Sequence, residues 1–368
     1  MLDLERLRRW PDIEADNLFA FDASDRLILE LAAPLLTDAA AGTVAIIGDN
    51  YGALTLGAAD LGATGIRVHQ DDLVGELALA ANSAGAGGYA NHPLDASLLE
   101  GATVVLLQLP RGLDELEQVL DTIARFADPT VTVIAGGRIK HLTPTMNPVM
   151  QRYFESLDVS LAQQKSRGFT LRGPKPVAES RFPVREFHDD LGLWVGAQGA
   201  VFAGSGVDIG TRLLLGALRK VGPTTGTAID LGCGTGLLAA SFARLRPGMR
   251  VIATDQSAAA VASAQLTAQL NDLADRVTVV RDDRLVGQPD ASADVVLLNP
   301  PFHIGAVVHT GPAHRMFADA ARVLKPGGEL WTVFNSHLGY RQALARTVGP
   351  TELVTHNAKF TVTVSKRS

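Results

Sequence analysis

The fold is decided by the stretch Thr227-Ala-Ile-Asp-Leu-Gly-Cys-Gly-Thr-Gly-Leu-Leu-Ala-Ala-Ser-Phe-Ala243. It opens with a short, mainly apolar run that suits a buried strand, and it closes with a run that suits a helix. The three alternate glycines between them allow a sharp turn and the close approach of a ligand, because glycine has no Cβ. The stretch therefore predicts a strand, a glycine turn and a helix, the repeating unit of a parallel α/β sheet.

The first half of the chain repeats this order. Thr43-Val-Ala-Ile-Ile-Gly-Asp49 leads into Asn50-Tyr-Gly-Ala-Leu-Thr-Leu-Gly57. Three later pairs of strand-like runs also correspond: Ile66-Arg-Val-His-Gln-Asp71 with Val251-Ile-Ala-Thr-Asp255, Val104-Val-Leu-Leu-Gln-Leu-Pro110 with Val295-Val-Leu-Leu-Asn-Pro-Pro301, and Thr130-Val-Thr-Val-Ile134 with Glu329-Leu-Trp-Thr-Val-Phe334. The repetition predicts two related α/β domains.

Length and composition agree with two domains. The chain has 368 residues, which suits two domains of about 180 residues each. The proline-rich, basic stretch 171–188 is typical of a linker, so we expect domains at 1–184 and 185–368. The single cysteine, Cys233, excludes a disulfide framework within the chain and a multi-cysteine zinc site. No signal-like start and no membrane-length apolar run occur, so we expect a soluble, cytoplasmic protein.

Carboxylates end the next two strands of the second half. Asp255 lies 25 residues after Asp230 and could accept hydrogen bonds from ribose hydroxyls, or it could begin the following helix. The strand Arg276-Val-Thr-Val-Val280 ends at Asp282-Asp283, where a carboxylate could bind an adenine amino group or face solvent. Both readings stay open. These positions share the carboxyl edge of one sheet, where open α/β folds bind ligands.

Asn299-Pro-Pro-Phe302 follows an apolar strand and lies at the same edge. The two prolines fix the backbone and remove two amide donors. The Asn299 side-chain oxygen and the Pro300 carbonyl can accept both N–H bonds of one amino group, which would aim its nitrogen at a methyl donor. Phe302 can stack on the ring that carries the amine.

The glycine turn together with Asn-Pro-Pro-Phe resembles the class I S-adenosylmethionine-dependent methyltransferases that modify planar nitrogens. With Asn299-Pro-Pro-Phe-His303 and Val201-Phe-Ala-Gly-Ser-Gly-Val-Asp-Ile-Gly-Thr-Arg212 it resembles, more narrowly, the two-domain bacterial ribosomal RNA guanine-N2 methyltransferases. Four stretches look closer to the large-subunit (23S) enzyme than to the small-subunit (16S) enzyme: Asp49-Asn-Tyr-Gly-Ala-Leu54, Ile134-Ala-Gly136, Asn335-Ser-His-Leu-Gly-Tyr340 and Asn357-Ala-Lys-Phe360.

The resemblance implies two tandem Rossmann-like domains, of which the first is degenerate and the second is catalytic with S-adenosyl-L-methionine as cofactor. It implies that Asp230, Gly232, Gly234 and Gly236 hold the methionine part of the cofactor, Asp255 its ribose and Asp283 its adenine. It also implies that Asn299, Pro300, Pro301 and Phe302 hold the guanine, and that the segment around Gly206 and Asp208 borders the pocket, although Asp208 could equally begin a helix.

The first half of the chain lacks the alternate glycines and the Asn-Pro-Pro-Phe motif. Its turn is Gly48-Asp-Asn-Tyr-Gly52, and Gln108-Leu-Pro110 replaces Asn-Pro-Pro. We expect this domain to keep the fold, to lose the reaction and to hold RNA. A local basic surplus supports that expectation in a chain of net charge −6, since residues 138–185 contain nine basic side chains and three acidic ones. The basic ones are Arg138, Lys140, Arg152, Lys165, Arg167, Arg172, Lys175, Arg181 and Arg185.

Several alternatives remain open at this stage. The Asn-Pro-Pro-aromatic motif also suits adenine-N6 in a nucleic acid and the side-chain amide of a protein glutamine. A non-catalytic RNA-binding assembly factor could retain the same fold, although the intact motifs of the second half argue against one. A nicotinamide enzyme would need the longer glycine spacing. We expect ribosomal RNA as the partner, free or within a subunit, with no membrane, metal or obligate protein partner.

Overall fold

The computed structural model describes residues 2–85, 87–301 and 311–368, and the chain divides into two compact units. Unit 1 is Met1–Phe182 and unit 2 is Pro183–Ser368. The division therefore lies two residues before the boundary expected between residues 184 and 185.

Unit 1 alternates strands and helices. Its helices are α1 (Ala23–Thr37), α2 (Ala53–Asp60), α3 (Leu73–Asn82), α4 (Ala96–Leu99), α5 (Leu113–Phe126) and α6 (Met146–Tyr153). Its strands are β1 (Val44–Ile47), β2 (Ile66–His69), β3 (Tyr89–Asn91), β4 (Val104–Gln108), β5 (Thr132–Arg138), β6 (Phe154–Val159) and β7 (Ser166–Pro174).

Unit 2 repeats the alternation after an added hairpin, β8 (Val184–His188) and β9 (Leu193–Ala197), whose strands pair antiparallel. Its helices are α7 (Ile209–Ala217), α8 (Leu237–Leu245), α9 (Ala258–Leu270), α10 (Gly311–Val323) and α11 (Arg341–Thr347). Its main strands are β10 (Thr225–Leu231), β11 (Gly248–Asp255), β12 (Val277–Arg281), β13 (Ala293–Leu298), β14 (Leu324–Asn335), β15 (Thr351–His356) and β16 (Phe360–Lys366).

The two large sheets have the same strand permutation. The order is β3-β2-β1-β4-β5-β7-β6 in unit 1 and β12-β11-β10-β13-β14-β16-β15 in unit 2. In each sheet the first five strands are parallel and the last two pair antiparallel. The order reverses between β10 and β13, which is where open α/β sheets bind ligands. The predicted pair of Rossmann-like α/β domains is confirmed.

The sheet of unit 2 is buried on both faces. In β13, Val295 and Leu297 pack in one apolar cluster with Phe242, while Val296 and Leu298 pack in the opposite cluster with Phe317. Successive side chains of a strand point to opposite faces, so burial on both sides fixes the strand. The residue that follows β13, Asn299, is therefore held at the carboxyl edge of the sheet by its neighbours.

The expected linker at 171–188 is partly wrong. Its beginning belongs to β7 and its end belongs to β8, so only residues 175–183 connect strands. Part of this connection is also tied to unit 1, because Arg181 pairs with Asp114 at 3.0 Å and with Glu117 at 2.7 Å. The proline and basic content that suggested a free linker therefore serves strand termination and ion pairing.

No helix among residues 2–85, 87–301 and 311–368 is both long and apolar enough to cross a membrane.

Candidate active site

The glycine turn connects β10 to α8. Gly232, Gly234 and Gly236 have φ values of 72°, 53° and 72°, a left-handed region that favours glycine. A Cβ on Gly236 would lie 2.8 Å from the Cβ of Ala264 in α9, whereas a Cβ on Gly234 would meet nothing within 4 Å. Gly236 is thus required by helix packing, and Gly234 borders open space that a ligand could fill.

Asp230 lies near the end of β10 and is fully buried. Its Oδ2 accepts a hydrogen bond from the backbone N–H of Ala239 in α8 at 2.9 Å. Its Oδ1 is buried with no partner among the described residues. Burial, together with the nearby carboxylate of Asp255, raises the pKa of Asp230 to about 7. A buried acceptor without a partner is costly and is therefore suited to a cationic ligand group.

Asp255 stabilises the glycine turn. Its Oδ2 accepts a hydrogen bond from the backbone N–H of Gly234 at 3.0 Å, and its Oδ1 accepts one from the N–H of Ser257 at 3.0 Å. The start of α9 is capped by Ser257, whose Oγ accepts from the N–H of Ala260 at 3.0 Å. Asp255 therefore lies beside the turn, as its position in sequence predicts, while its contact with a ribose stays a prediction.

The two carboxylates after β12 both have partners within the protein. Asp282 is buried and accepts a hydrogen bond from the backbone N–H of Gly287 at 3.0 Å, and burial raises its pKa. Asp283 forms a two-point pair with Arg284, with distances of 3.1 Å and 3.2 Å. The adenine role of Asp283 stays a prediction, and it would require Asp283 to exchange or share its contact with Arg284.

Asn299 follows β13 at the carboxyl edge of the sheet, beside the point where the strand order reverses. Its Nδ2 donates to Asp208 Oδ2 at 3.0 Å and to Thr211 Oγ1 at 3.0 Å. Its Oδ1 is buried with no partner among the described residues. Pro300 is buried and Pro301 is exposed. Phe302 and His303 lie outside the described residues, so the stacking role of Phe302 stays a prediction.

Asp208 has the helix-start role, which is one of the two that the sequence left open, while its place at the border of a substrate pocket stays a prediction. Its Oδ1 accepts from the N–H of Gly210 at 2.8 Å and its Oδ2 from the N–H of Thr211 at 2.9 Å, so it begins α7 as a cap. It also contacts Asn299. Sequence reasoning missed Thr211, although it lies in the quoted segment 201–212.

No group of three metal-ligating side chains occurs within the described ranges. His303 and His309 lie outside them, and His314 packs against the rings of Phe317 and Tyr340. Cys233 is buried at the glycine turn, and burial raises the pKa of its thiol. These surroundings favour a packing role for Cys233 over a nucleophilic one.

The corresponding turn of unit 1 is built differently. The hydroxyl of Tyr51 donates to Asp12 at 2.6 Å, and the guanidinium of Arg9 lies 4.5 Å from the centre of its ring. Both oxygens of Asp49 accept backbone N–H groups at the start of α2, from Leu54 at 2.6 Å and Thr55 at 3.0 Å. The Asp49 oxygens and the Tyr51 hydroxyl are thus satisfied within the protein.

Comparisons with known proteins match both units of the chain. The family model described as "Methyltransferase small domain" matches residues 192–364, and the model described as "RLMG N-terminal domain" matches residues 3–174. A protein of Pseudomonas entomophila named "Ribosomal RNA large subunit methyltransferase G" is 36% identical over 99% of this chain and 98% of its own. A protein of the same name from Streptomyces avermitilis is 34% identical over 97% of this chain and 95% of its own.

Among solved structures, the T. thermophilus 16S rRNA N2 methyltransferase (RsmC), in complex with AdoMet and guanosine, is 22% identical. It covers 92% of each chain with a TM-score of 0.73, which shows the fold. The fold and the family matches together define a class I methyltransferase that uses S-adenosylmethionine. The chain belongs to the family of ribosomal RNA large subunit methyltransferase G.

Proposed function

We propose that this enzyme methylates the exocyclic N2 amine of a guanine in large-subunit ribosomal RNA. The observation that carries the proposal is the orientation of Asn299, whose amide nitrogen is bound by protein and whose buried oxygen has no partner among the described residues. A free carbonyl oxygen at a sheet edge is suited to an N–H donor of the substrate. The name shared by the full-length relatives supports ribosomal RNA of the large subunit as the substrate.

The residues at the turn fit the cofactor. The open space at Gly234 admits a ligand, and the unpartnered Oδ1 of Asp230 suits the cationic amino group of a methionine moiety. We expect the glycine turn and Asp230 to hold that moiety, Asp255 to accept from the ribose and Asp283 to lie near the adenine. When bound there, S-adenosylmethionine supplies a methyl group on a sulfonium sulfur.

The protein contributes positioning and charge stabilisation. Asn299 Oδ1 and the Pro300 carbonyl would each accept one N–H of the guanine amine, which orients its nitrogen lone pair. The same two acceptors stabilise the positive charge that develops on the amine, because they are fixed before the reaction begins. Phe302 would stack on the base. No strong base is required for this positioning.

We further propose that unit 1 is inactive and binds RNA. The basic residues of 138–185 differ in their partners in the structure. Some are neutralised: Arg172 pairs with Asp158 at 3.0 Å, and Arg181 pairs with Glu117 at 2.7 Å. A second group has no ion pair among the described residues and lies around the end of β5 and the start of β7: Arg138, Lys140, Lys165 and Arg167.

The second group is therefore the better candidate for RNA contacts. Lys140, Lys165 and Arg167 are exposed, and the β5–β7 pairing brings them together, since Gly137 pairs with Arg167. Backbone phosphates are the partner that such a cluster fits, and they position RNA without reading its sequence. Because the proposed substrate is ribosomal RNA, we infer that the enzyme works in the cytoplasm.

A methylation assay tests the proposal. Purified protein and labelled S-adenosylmethionine would be incubated with large-subunit RNA, isolated from cells that lack the gene. We expect label in N2-methylguanosine, and no label when the RNA comes from cells that carry the gene. Label in N6-methyladenosine would instead favour adenine as the acceptor, and an absence of label in the RNA from cells that lack the gene would contradict the proposed substrate.

A further inference from the structure

The two polar ends of the Asn299 side chain have different surroundings. The nitrogen end has two oxygen partners, Asp208 Oδ2 and Thr211 Oγ1, each at 3.0 Å. The oxygen end is buried and has no partner among the described residues. Carboxamide nitrogen and oxygen have nearly the same size, so packing alone does not decide which one faces the pocket. Hydrogen-bond partners must decide it.

Asp208 decides it by its chemistry. A carboxylate oxygen accepts hydrogen bonds and does not donate them, so the Asn299 atom beside it must be the nitrogen. The carboxylate is itself fixed, because its two oxygens accept from the N–H groups of Gly210 and Thr211 at the start of α7. Thr211 Oγ1 gives the nitrogen a second acceptor.

The reversed amide would be unfavourable. A rotation of 180° about the last side-chain bond would place Asn299 Oδ1 against Asp208 Oδ2. Two acceptors would then face each other in a partly buried position, and the NH₂ group would point toward the substrate. An NH₂ group cannot accept from an exocyclic amine. The direction of this one amide thus decides whether the site binds an amine or a carbonyl.

We propose that Asp208 and Thr211 are positioning residues that hold the Asn299 amide with its oxygen toward the substrate amine, and so determine the selectivity of the site for an amino group. This inference rests on the proposed function and deepens it. Asp208 and Thr211 act through Asn299 and need not touch the base. By accepting the two N–H bonds of Asn299, they also polarise its amide group, which makes the amide oxygen a stronger acceptor.

Thr211→Val and Thr211→Ser form a matched pair for the test. Valine keeps the branched shape and removes Oγ1, whereas serine keeps the hydroxyl. Neither change alters the backbone N–H that Asp208 caps. Asp208→Ser is a second route, because serine is a good helix cap but its hydroxyl is too short to reach Asn299. Asp22→Ser is its control, since Asp22 caps α1 in unit 1 by accepting from Ser24 N–H at 2.6 Å.

The readout is the relative binding of guanosine and inosine, which differ only in the N2 amine. Titrations by NMR would use the full-length protein saturated with S-adenosylhomocysteine, so that no turnover occurs. We expect the wild-type protein to prefer guanosine, and we expect Thr211→Val and Asp208→Ser to reduce that preference by about tenfold. Thr211→Ser and Asp22→Ser should keep it within about twofold.

The outcomes distinguish the positioning role of Asp208 and Thr211 from the proposed function. A normal preference for guanosine in the wild-type protein that persists in both Thr211→Val and Asp208→Ser would overturn the positioning role and leave the proposed function intact. Equal binding of the two nucleosides by the wild-type protein would contradict the proposed function, and the positioning role with it. A merely structural role would lower the melting temperature of both helix-cap variants without changing the ratio, which would also overturn the positioning role.

Discussion

A Cβ added to Gly236 would lie 2.8 Å from the Cβ of Ala264, so the glycine turn and α9 are packed against each other at the distance that glycine permits. Two residues earlier, a Cβ on Gly234 would meet no protein atom within 4 Å. The same turn therefore contains one glycine required by the fold and one that faces open space. Substitutions at these two positions should therefore distinguish an effect on stability from an effect on ligand binding.

We expect Gly236→Ala to lower the free energy of unfolding by about 2–4 kcal/mol, from overpacking and from the left-handed backbone. Gly234→Ala should cost about 1–2 kcal/mol of stability but should weaken S-adenosylmethionine binding at least about tenfold, because the new methyl group enters the cofactor space. Urea unfolding and calorimetry would measure both. Wild-type cofactor affinity in Gly234→Ala would show that the open space is not the cofactor site.

The raised pKa of Asp230 predicts a pH-dependent stability. Its pKa is about 7 in the folded protein, against a reference of 3.8. The folded state therefore retains a proton that the unfolded chain releases, so this stabilising contribution is present below about pH 4 and is lost as the pH rises through about 7. Its full size is at most roughly 4 kcal/mol.

Unfolding of the ligand-free protein at about pH 5 and about pH 8 would test this prediction, with Asp230→Asn as the control. Asparagine does not titrate, and its carbonyl oxygen can still accept from Ala239. We expect the wild-type protein to lose stability relative to Asp230→Asn as the pH rises. Parallel pH profiles for the two proteins would show that Asp230 titrates normally.

Asn299→Ala should remove most activity and leave cofactor binding nearly intact. Asn299 is proposed to touch the reacting amine and not the cofactor, so its loss should lower kcat by about 10²–10³-fold. Single-turnover methylation and calorimetry with S-adenosylmethionine would separate the two effects. An unchanged rate would remove Asn299 from the catalytic site.

The charge pattern of unit 1 predicts which basic residues bind RNA. Replacing Lys165 and Arg167 with glutamine should weaken RNA binding and flatten its dependence on salt, because fewer phosphates are neutralised. Arg172→Gln with Lys175→Gln is the matched control. Arg172 already pairs with Asp158, and Lys175 Nζ donates to the backbone oxygen of Gln151 at 2.8 Å.

Filter binding over a range of salt concentrations would measure the affinity and the salt slope of both double variants. The control should stay close to wild type. An equal loss of RNA affinity in both double variants would show that the contacts of Arg172 and Lys175 within the protein do not prevent them from binding phosphates. Wild-type affinity and slope in the Lys165 and Arg167 variant would place the RNA surface elsewhere.

Much of the fold could be predicted from the sequence, because short apolar runs and glycine turns are local signals. The similar runs Val104–Gln108 and Val295–Leu298 form strands at the same position in two sheets that share one strand order. The antiparallel pairing of β5 with β7 and of β14 with β16 joins strands that are separated in the chain by a helix and another strand, so it could not be predicted locally. The linker prediction was partly wrong because ion pairs of Arg181 within unit 1 are not visible in composition.

The placement of Asn299 and the glycine turn at the carboxyl edge of one sheet could be predicted, because each follows an apolar strand. Their contacts with substrate and cofactor stay predictions. The contact between Asp208 and Asn299 joins residues 91 positions apart in the chain, so no local pattern contains it. The pairing of Asp283 with Arg284 could not be predicted from motif spacing. The structure adds the direction of the Asn299 amide, which motif spacing does not specify.

The most direct measurement is mass spectrometry of nucleosides from large-subunit ribosomal RNA, isolated from cells with and without the gene. The predicted result is the loss of one N2-methylguanosine in the cells that lack the gene, and its return when the wild-type gene, but not Asn299→Ala, is restored. Unchanged N2-methylguanosine in the large-subunit RNA would contradict the proposed function.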